Sequence, residues 1–165
     1  VYIINLTGTE AKKMLELTRS TAKTVFETSV SCIGASTCQV GVRDSQALLR
    51  ACVEAVREAK IPDGALPQIH ISGCPSSCGT HQIGEMGFRG AIKNKQPAYM
   101  FYLSGCDRQG EEKMGAELGT ILETEIPRFL VELGQTVAAS GKDYFAWKVE
   151  NPDGVEKIAA PYLAE

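Results

Sequence analysis

Residues 68–79 read QIHISGCPSSCG and join an alternating apolar segment directly to a pair of cysteines. The alternation over residues 68–72 is typical of a half-buried β-strand. Gly73 interrupts this pattern and predicts a tight loop that presents Cys74 and Cys78. The stretch therefore predicts a strand that ends in a cysteine loop.

A second segment of the chain has the same arrangement. Residues 25–30 are rich in β-forming side chains and lead into Cys32, which is followed by Cys38. Five residues separate the thiols of this first pair, and three separate those of the second pair. Small residues fill both loops, so the backbone can approach a bound centre and offer N–H groups to sulfur.

The other predicted elements alternate between strand and helix and then include two successive strands. Strands are expected at residues 1–6, 86–92 and 99–103, helices from Thr9 and Glu10, at 44–60, at 124–139 and from Val155, and a loop at 105–119. This order predicts an α+β fold, in which a mixed sheet of about five strands is packed with helices and the cysteine loops lie at one sheet edge.

The amino-acid composition of the chain excludes several classes of function. The chain has 165 residues, of which 44% are hydrophobic and 22% charged, and a net charge of −3. These values fit one globular domain and exclude both general disorder and a general nucleic-acid binder. No apolar run is long enough to span a membrane and no secretion signal is recognised, so we expect a cytoplasmic protein with no membrane partner.

The six cysteines need an explanation other than disulfide stapling, because nothing in the sequence indicates an oxidising compartment. Two pairs on converging loops can surround one inorganic centre. Structural zinc favours shorter gaps than the five residues of the first pair, whereas an iron–sulfur cubane tolerates wider and unequal spacings. Spacing alone favours a cluster and leaves zinc, or cysteines with a structural or redox role, as alternatives.

The second cysteine pair carries a more specific resemblance. The run SGCPSSC at residues 72–78, followed after six residues by EMGF at 85–88, resembles the signature of siroheme-dependent sulfite and nitrite reductases. Cys32 and Cys38 match the upstream half of that pattern. The resemblance covers residues 25–105 well and the last sixty residues loosely.

The resemblance implies a ligand set. Cys32, Cys38, Cys74 and Cys78 would ligate a [4Fe-4S] cluster, and Cys78 would also bridge to the siroheme iron. Ser76 stands where the family commonly has Asn, and its hydroxyl could hydrogen-bond the siroheme. His81 follows the same loop and is a further candidate for contact with the cofactor.

The resemblance also implies that the chain is part of a longer enzyme. The family holds its substrate and the siroheme carboxylates mostly with Arg and Lys residues upstream of the cluster segment, and about thirty residues precede Cys32 here. Since the chain opens directly on the predicted strand at 1–6, we expect residues 1–165 to be a single domain excised from a longer reductase, its C-terminal cluster-binding part, with 1–24 as the end of a preceding ferredoxin-like half. A processed mature chain is the alternative.

The implied reaction is multi-electron reduction of sulfite or nitrite, with no catalytic residue assigned within this chain. The implied partners are the remainder of the reductase and an electron donor, either ferredoxin or a flavoprotein. The isolated chain is expected to be inactive and to lack siroheme, and it can be without its cluster. The alternative from another class is a non-catalytic module, either a single-cluster electron-transfer protein or a zinc-stabilised interaction domain.

Several other residues have simpler interpretations. Cys52 lies on the apolar stripe of a predicted helix and is expected in the core, and Cys106 lies in a loop as an incidental thiol. His70 alternates within a strand and is expected to be structural. The aromatic residues of the C-terminal tail are expected to pack together: Tyr144, Phe145 and Trp147.

Overall fold

A computed structural model describes residues 3–19 and 22–164. Its strands are β1 (Val30–Ser31), β2 (Ile69–Ser72), β3 (Met86–Lys93), β4 (Gln96–Leu103) and β5 (Ala116–Leu122). Its α-helices are α1 (Gly8–Leu17), α2 (Ser45–Glu58), α3 (Ile126–Ala139), α4 (Tyr144–Glu150) and α5 (Gly154–Ala159), and short 3-10 helices occupy Phe26–Thr28 and Ala160–Tyr162.

The five strands form one sheet in the order β1-β2-β3-β4-β5. Strands β1, β2 and β3 run parallel, and β4 and β5 are antiparallel to their neighbours. The predicted mixed sheet of an α+β fold is therefore confirmed. Because β1 and β2 are parallel neighbours and β1 is the edge strand, the loops that follow them leave the sheet side by side at one edge.

The helices α2 and α3 cover one face of this sheet. Ile69 and Ile71 of β2 are fully buried with Phe88 and Phe101 in one apolar cluster, to which both helices contribute. The Phe101 ring also meets Phe129 of α3 edge to face at 5.3 Å between centroids. Burial of these side chains fixes the register of the sheet, since a slip of one residue would turn them to the opposite face.

The opposite face of the sheet is crossed by the chain between β2 and β3. This crossover segment, residues 79–84, lies so close to β3 that a Cβ atom on Gly87 would stand 1.8 Å from the carbonyl oxygen of His81. Only glycine fits at position 87 for that reason. The segment thereby places His81 directly behind the second cysteine loop.

Two predicted elements differ from the structure at the N-terminal end. Residues 3–6 of the predicted first strand form no strand, and Ile4 is 75% exposed, because no strand among the described residues pairs with them. Val1 and Tyr2 lie outside the described residues. The predicted helix exists but starts earlier, at Gly8, with Thr7 and Glu10 forming a reciprocal capping box.

The loop predicted at residues 105–119 is wrong in its last part. Residues from Ala116 belong to β5, which pairs with β4 along most of its length. Ala116 and Leu118 begin an apolar alternation that Thr120 and Ile121 break, so the strand is specified by its long-range partner and not by a local pattern. Residues 25–30 also differ: they form the 3-10 helix Phe26–Thr28 and then enter the two-residue strand β1.

The aromatic residues of the C-terminal tail divide between core and surface. Tyr144 and Trp147 of α4 are buried, as expected, whereas Phe145 is 59% exposed. The helical spacing explains this difference, since residues 144 and 147 share a face and residue 145 points elsewhere.

Candidate functional site

The two cysteine loops contact each other at the end of the parallel strands. The backbone N–H of Cys32 donates to the carbonyl of Ile71 at 3.0 Å, which continues the pairing of β1 with β2. One residue pair further along, the backbone N–H of Gly73 donates to the sulfur of Cys32 at 3.1 Å. The first loop thus receives a hydrogen bond on its thiol from the second loop.

A connecting strap, residues 42–43, joins the same two loops through the main chain. The N–H groups of Val42 and Arg43 both donate to the carbonyl of Gly73 at 2.9 Å, and the carbonyl of Arg43 accepts from Ala35 at 2.9 Å. A Cβ atom on Gly73 would stand 2.5 Å from that Arg43 carbonyl oxygen. The close approach of the loops therefore requires glycine at position 73.

Cys32 lies in an environment that favours its thiolate form. Its sulfur is 3.2 Å from the hydroxyl oxygen of Ser45, a fully buried residue at the start of α2. Burial raises the pKa of the Cys32 thiol, but hydrogen bonds from Ser45 and from the backbone of Gly73 and Gly34 outweigh burial and lower it. A lowered pKa suits a cysteine that ligates metal, because the thiolate is the binding form.

The remaining three cysteines of the two loops differ in exposure. Cys38 is half-buried in a turn in which its N–H donates to the carbonyl of Gly34 at 2.8 Å. Cys74 is 7% exposed, and Cys78 is exposed. Within residues 3–19 and 22–164, no group of three or more His, Cys, Asp or Glu side chains is arranged to hold a metal ion.

The second loop is anchored to β2 behind Cys78. The N–H of Gly79 donates to the hydroxyl oxygen of Ser72 at 3.0 Å, and a Cβ atom on Gly79 would lie 2.0 Å from the carbonyl oxygen of Ile71. Ser76, at the top of the loop, is exposed. This packing leaves Ser76 and Cys78 on the outer side of the loop.

His81 lies on the inner side of that loop and is fully buried. Its Nδ1 is 2.9 Å from the Ser72 hydroxyl, and its ring contacts the ring of Tyr102 at 4.8 Å between centroids. Its Nε2 has no hydrogen-bond partner among the described residues. Burial, assisted by the positive charge of Arg89, lowers the pKa of His81 to about 4, so the ring is neutral at neutral pH.

A small polar cluster surrounds His81 on this face of the sheet. The guanidinium of Arg89 lies over the Tyr102 ring, 5.7 Å from its centroid, and 4.0 Å from the carboxylate of Glu117. The Tyr102 hydroxyl donates to the same carboxylate at 2.5 Å. The partners of Arg89 come from β4 and β5, so the cluster depends on the pairing of the strands.

Cys52 and Cys106 are placed as the sequence predicted. Cys52 is fully buried among apolar side chains of α2 and the sheet, and burial raises the pKa of its thiol far above the usual range. Cys106 follows β4 and forms an isolated bridge with Lys113. Cys74 follows the last residue of β2, whereas Cys106 lies near the first. The reason is that β4 ends at Leu103, which pairs with Met86 at the start of β3, and Met86 also pairs with Ile69 at the start of β2.

His70 is structural, as expected. It is buried, and its Nδ1 lies 2.8 Å from the hydroxyl of Thr80 in the crossover segment. Sequence reasoning did not identify Ser45, whose contact with Cys32 joins two segments that no local pattern relates. Asp44 is the cap, accepting from the N–H of Ala47, and this leaves the Ser45 hydroxyl for Cys32.

The helices of the described residues include none with both the length and the apolar content of a membrane span.

Comparisons with known proteins show which enzymes the chain resembles in sequence. No family model matches the chain. The NADPH sulfite reductase hemoprotein beta-component of Bacillus licheniformis is 28% identical over 150 residues, a match that covers 80% of this chain and 26% of that protein. The ferredoxin–nitrite reductase of Leptolyngbya laminosa is 31% identical over 100 residues, covering 59% of this chain and 19% of that protein. The chain is therefore similar in sequence to parts of sulfite and nitrite reductases.

The fold agrees with this relationship. The structure of the NirA protein of Mycobacterium tuberculosis superposes with a TM-score of 0.57 at 16% sequence identity, over 78% of this chain and 26% of that one. The chain spans about a quarter of the length of the Bacillus sulfite reductase and of NirA.

Proposed function

We propose that this chain is the part of a sulfite or nitrite reductase that holds a [4Fe-4S] cluster and siroheme. The supporting observation is the contact between the two cysteine loops, in which Gly73 of the second loop donates its N–H to the Cys32 sulfur of the first at 3.1 Å. Each of the two loops that meet in this way carries two cysteines. The relationship to sulfite and nitrite reductases supports the same function.

The donor chemistry of the site fits an iron–sulfur cluster. We propose Cys32, Cys38, Cys74 and Cys78 as its ligands, since thiolates are the usual ligands of [4Fe-4S] clusters. The glycine at position 73 admits close approach of the backbone, and its N–H is already directed at sulfur. Hydrogen bonds of this kind stabilise the negative charge on cluster sulfurs.

Siroheme would lie on the outer side of the second loop. Cys78 is the exposed cysteine of this loop, so it is the one we propose to bridge to the siroheme iron. Ser76 is exposed beside it and is proposed to hydrogen-bond the macrocycle. His81 is buried on the inner side, which supports a role in holding the loop from behind, through Ser72, more than direct contact with the cofactor.

Together the two groups would supply electrons to a bound oxyanion. We propose multi-electron reduction of sulfite or nitrite in the cytoplasm as the activity of the whole enzyme, of which this chain is the C-terminal cluster-binding part. The remainder of the reductase and an electron donor, ferredoxin or a flavoprotein, are the proposed partners. The name of the Leptolyngbya relative supports ferredoxin as the donor, and the name of the Bacillus relative indicates NADPH as the reductant of that enzyme.

The test compares Cys78→Ser with Cys106→Ser in the intact protein purified without oxygen. Iron, labile sulfide and the visible spectrum are measured for both variants. We expect Cys78→Ser to lose siroheme coupling and part or all of the cluster, and Cys106→Ser to retain both, because Cys106 lies at the other end of β2. Equal loss in the two variants, or stoichiometric zinc in place of iron, would contradict the proposal.

A further inference from the structure

The hydroxyl of Ser45 is placed to act on the first cysteine loop. Ser45 is the first residue of the 14-residue helix α2 and is fully buried. Its oxygen lies 3.2 Å from the sulfur of Cys32 and 2.9 Å from the carbonyl oxygen of the same residue. The Ser45 side chain thus contacts both the sulfur and the carbonyl oxygen of Cys32.

The packing around Ser45 holds this geometry. Gly34 adopts a positive φ of 75°, and a Cβ atom there would stand 2.8 Å from the Ser45 nitrogen and 2.9 Å from its hydroxyl oxygen. The first cysteine loop can therefore fold over the start of α2 only with glycine at position 34. This close packing keeps the hydroxyl beside the sulfur and away from solvent.

Counting protons shows what changes when Cys32 ligates a metal centre. A free thiol can donate its S–H to the Ser45 oxygen while the Ser45 hydroxyl donates to the Cys32 carbonyl. A ligated thiolate has no proton and can only accept. The donors then within reach of the sulfur are the Ser45 hydroxyl and the Gly73 N–H.

We propose that Ser45 is a positioning residue for the cluster, donating its hydroxyl proton to the Cys32 thiolate and raising the reduction potential. This inference rests on the proposed function. Reduction adds negative charge to the cluster and its sulfurs, so a donor to sulfur stabilises the reduced form more than the oxidised form. Hydrogen bonds to sulfur are among the factors that set iron–sulfur potentials.

The experiment is an anaerobic redox titration of the intact protein carrying its cluster, followed by electron paramagnetic resonance. Ser45→Ala should make the potential more negative, with on the order of a tenfold change in the reduction equilibrium, or about 59 mV for one electron. Ser45→Thr keeps the hydroxyl and should restore the wild-type potential. Ser29→Ala is the matched control.

Ser29 suits that purpose because it also uses its hydroxyl within the fold but touches no cysteine sulfur in the described structure. It donates to the carbonyl of Phe26 at 2.6 Å and accepts from the N–H of Ile69 at 2.9 Å. Its loss should lower stability without moving the potential. A shift shared by Ser29→Ala and Ser45→Ala would overturn the inference, because it would mark a general effect of loosened packing.

The other possible results also either support or refute the inference. An unchanged potential in Ser45→Ala with a full complement of iron refutes the role of Ser45 and leaves the proposed function intact. Loss of the cluster from Ser45→Ala, but not from Ser29→Ala or Ser45→Thr, supports the inference, and equal loss from Ser45→Ala and Ser29→Ala refutes it. Absence of any iron–sulfur cluster in the wild-type protein refutes the proposed function itself.

Discussion

The backbone N–H of Gly73 donates to the sulfur of Cys32 at 3.1 Å, across two loops separated by about forty residues of sequence. The contact forms because β1 and β2 are parallel neighbours in register, with Ser31 opposite Ile71. The loops that leave two such strands start side by side. The sheet therefore positions the candidate cluster site, and the loops complete it.

Replacing Gly73 by alanine should separate these loops. The added Cβ would stand 2.5 Å from the carbonyl oxygen of Arg43, a main-chain atom that cannot rotate away. We expect a loss of about 1–3 kcal/mol in the free energy of unfolding, as for other overpacked sites, and a lower iron content. Chemical denaturation and iron analysis measure the two effects.

Gly8→Ala is the matched control for that substitution, since nothing lies within 4 Å of the added Cβ at the start of α1. It should leave the iron content unchanged and cost no stability. A Gly73→Ala protein as stable and as rich in iron as Gly8→Ala would show that the close contact of the loops is dispensable.

The cysteines should differ sharply in reactivity in the reduced, metal-free protein. Cys78 is exposed, whereas Cys52 is fully buried and burial raises the pKa of its thiol far above neutrality. Iodoacetamide should therefore modify Cys78 in the folded protein and reach Cys52 only after unfolding, because the thiolate is the reacting form. Peptide mass spectrometry over time distinguishes them, and equal rates at the two positions would be incompatible with this structure.

Protonation of His81 should destabilise the fold in mild acid. Its pKa falls from an ordinary value of 6.5 to about 4 in the folded protein, chiefly through burial, with Arg89 adding to the shift and Glu117 opposing it. The unfolded chain therefore binds the proton first as pH falls. The stabilisation is complete above about pH 6.5 and is lost towards pH 4, at about 1.4 kcal/mol per pH unit within that window.

The measurement is the free energy of unfolding of the wild type and of His81→Asn between pH 7.5 and about 4. Asparagine can retain the hydrogen bond to Ser72 but cannot titrate. Carboxylates titrate in both proteins, so their contribution cancels in the difference. Parallel curves for the two proteins would show that His81 does not take up a proton on unfolding.

A second polar network, at the opposite end of the sheet from the two cysteine pairs, should contribute more to stability than an ordinary surface ion pair. Lys148 of α4 forms an ion pair with Glu85 and donates to the hydroxyl of Ser104 at 2.8 Å, and the side chains of the ion pair are 18% and 17% exposed. The Tyr144 hydroxyl also donates to Glu85 at 2.8 Å. Lys148→Met leaves a largely buried carboxylate without its cation, and should cost about 2 kcal/mol.

Lys142→Met provides the comparison for Lys148→Met, because it removes the same type of side chain from an exposed ion pair with Glu150. Surface pairs contribute less than about 1 kcal/mol. Denaturant titration of both variants gives the two values. If the variants lose equal stability, the burial of Glu85 has no energetic consequence.

The local sequence pattern was sufficient to predict those helices and strands whose own residues show a clear periodicity. The apolar stripe predicted α2, expected at residues 44–60, to within two residues at its C-terminal end, and the alternation of residues 68–72 predicted β2 to within one. The cysteine spacings likewise indicated the candidate site. The same local approach was wrong for residues 3–6 and missed β5, since an apolar run forms a strand only beside a partner and β5 depends on pairing with β4.

The sequence alone determined which cysteines share a loop, which cysteine lies on the apolar side of a helix and which fold class the chain adopts. The tertiary structure decided the relations that need two distant segments to meet: the donation from Gly73 to the Cys32 sulfur, the position of Ser45 beside the same atom, and the burial of His81 against Tyr102. The physical reason is that periodicity and capping act over a few residues, whereas these contacts depend on the register of parallel strands and on glycines that allow backbones to touch.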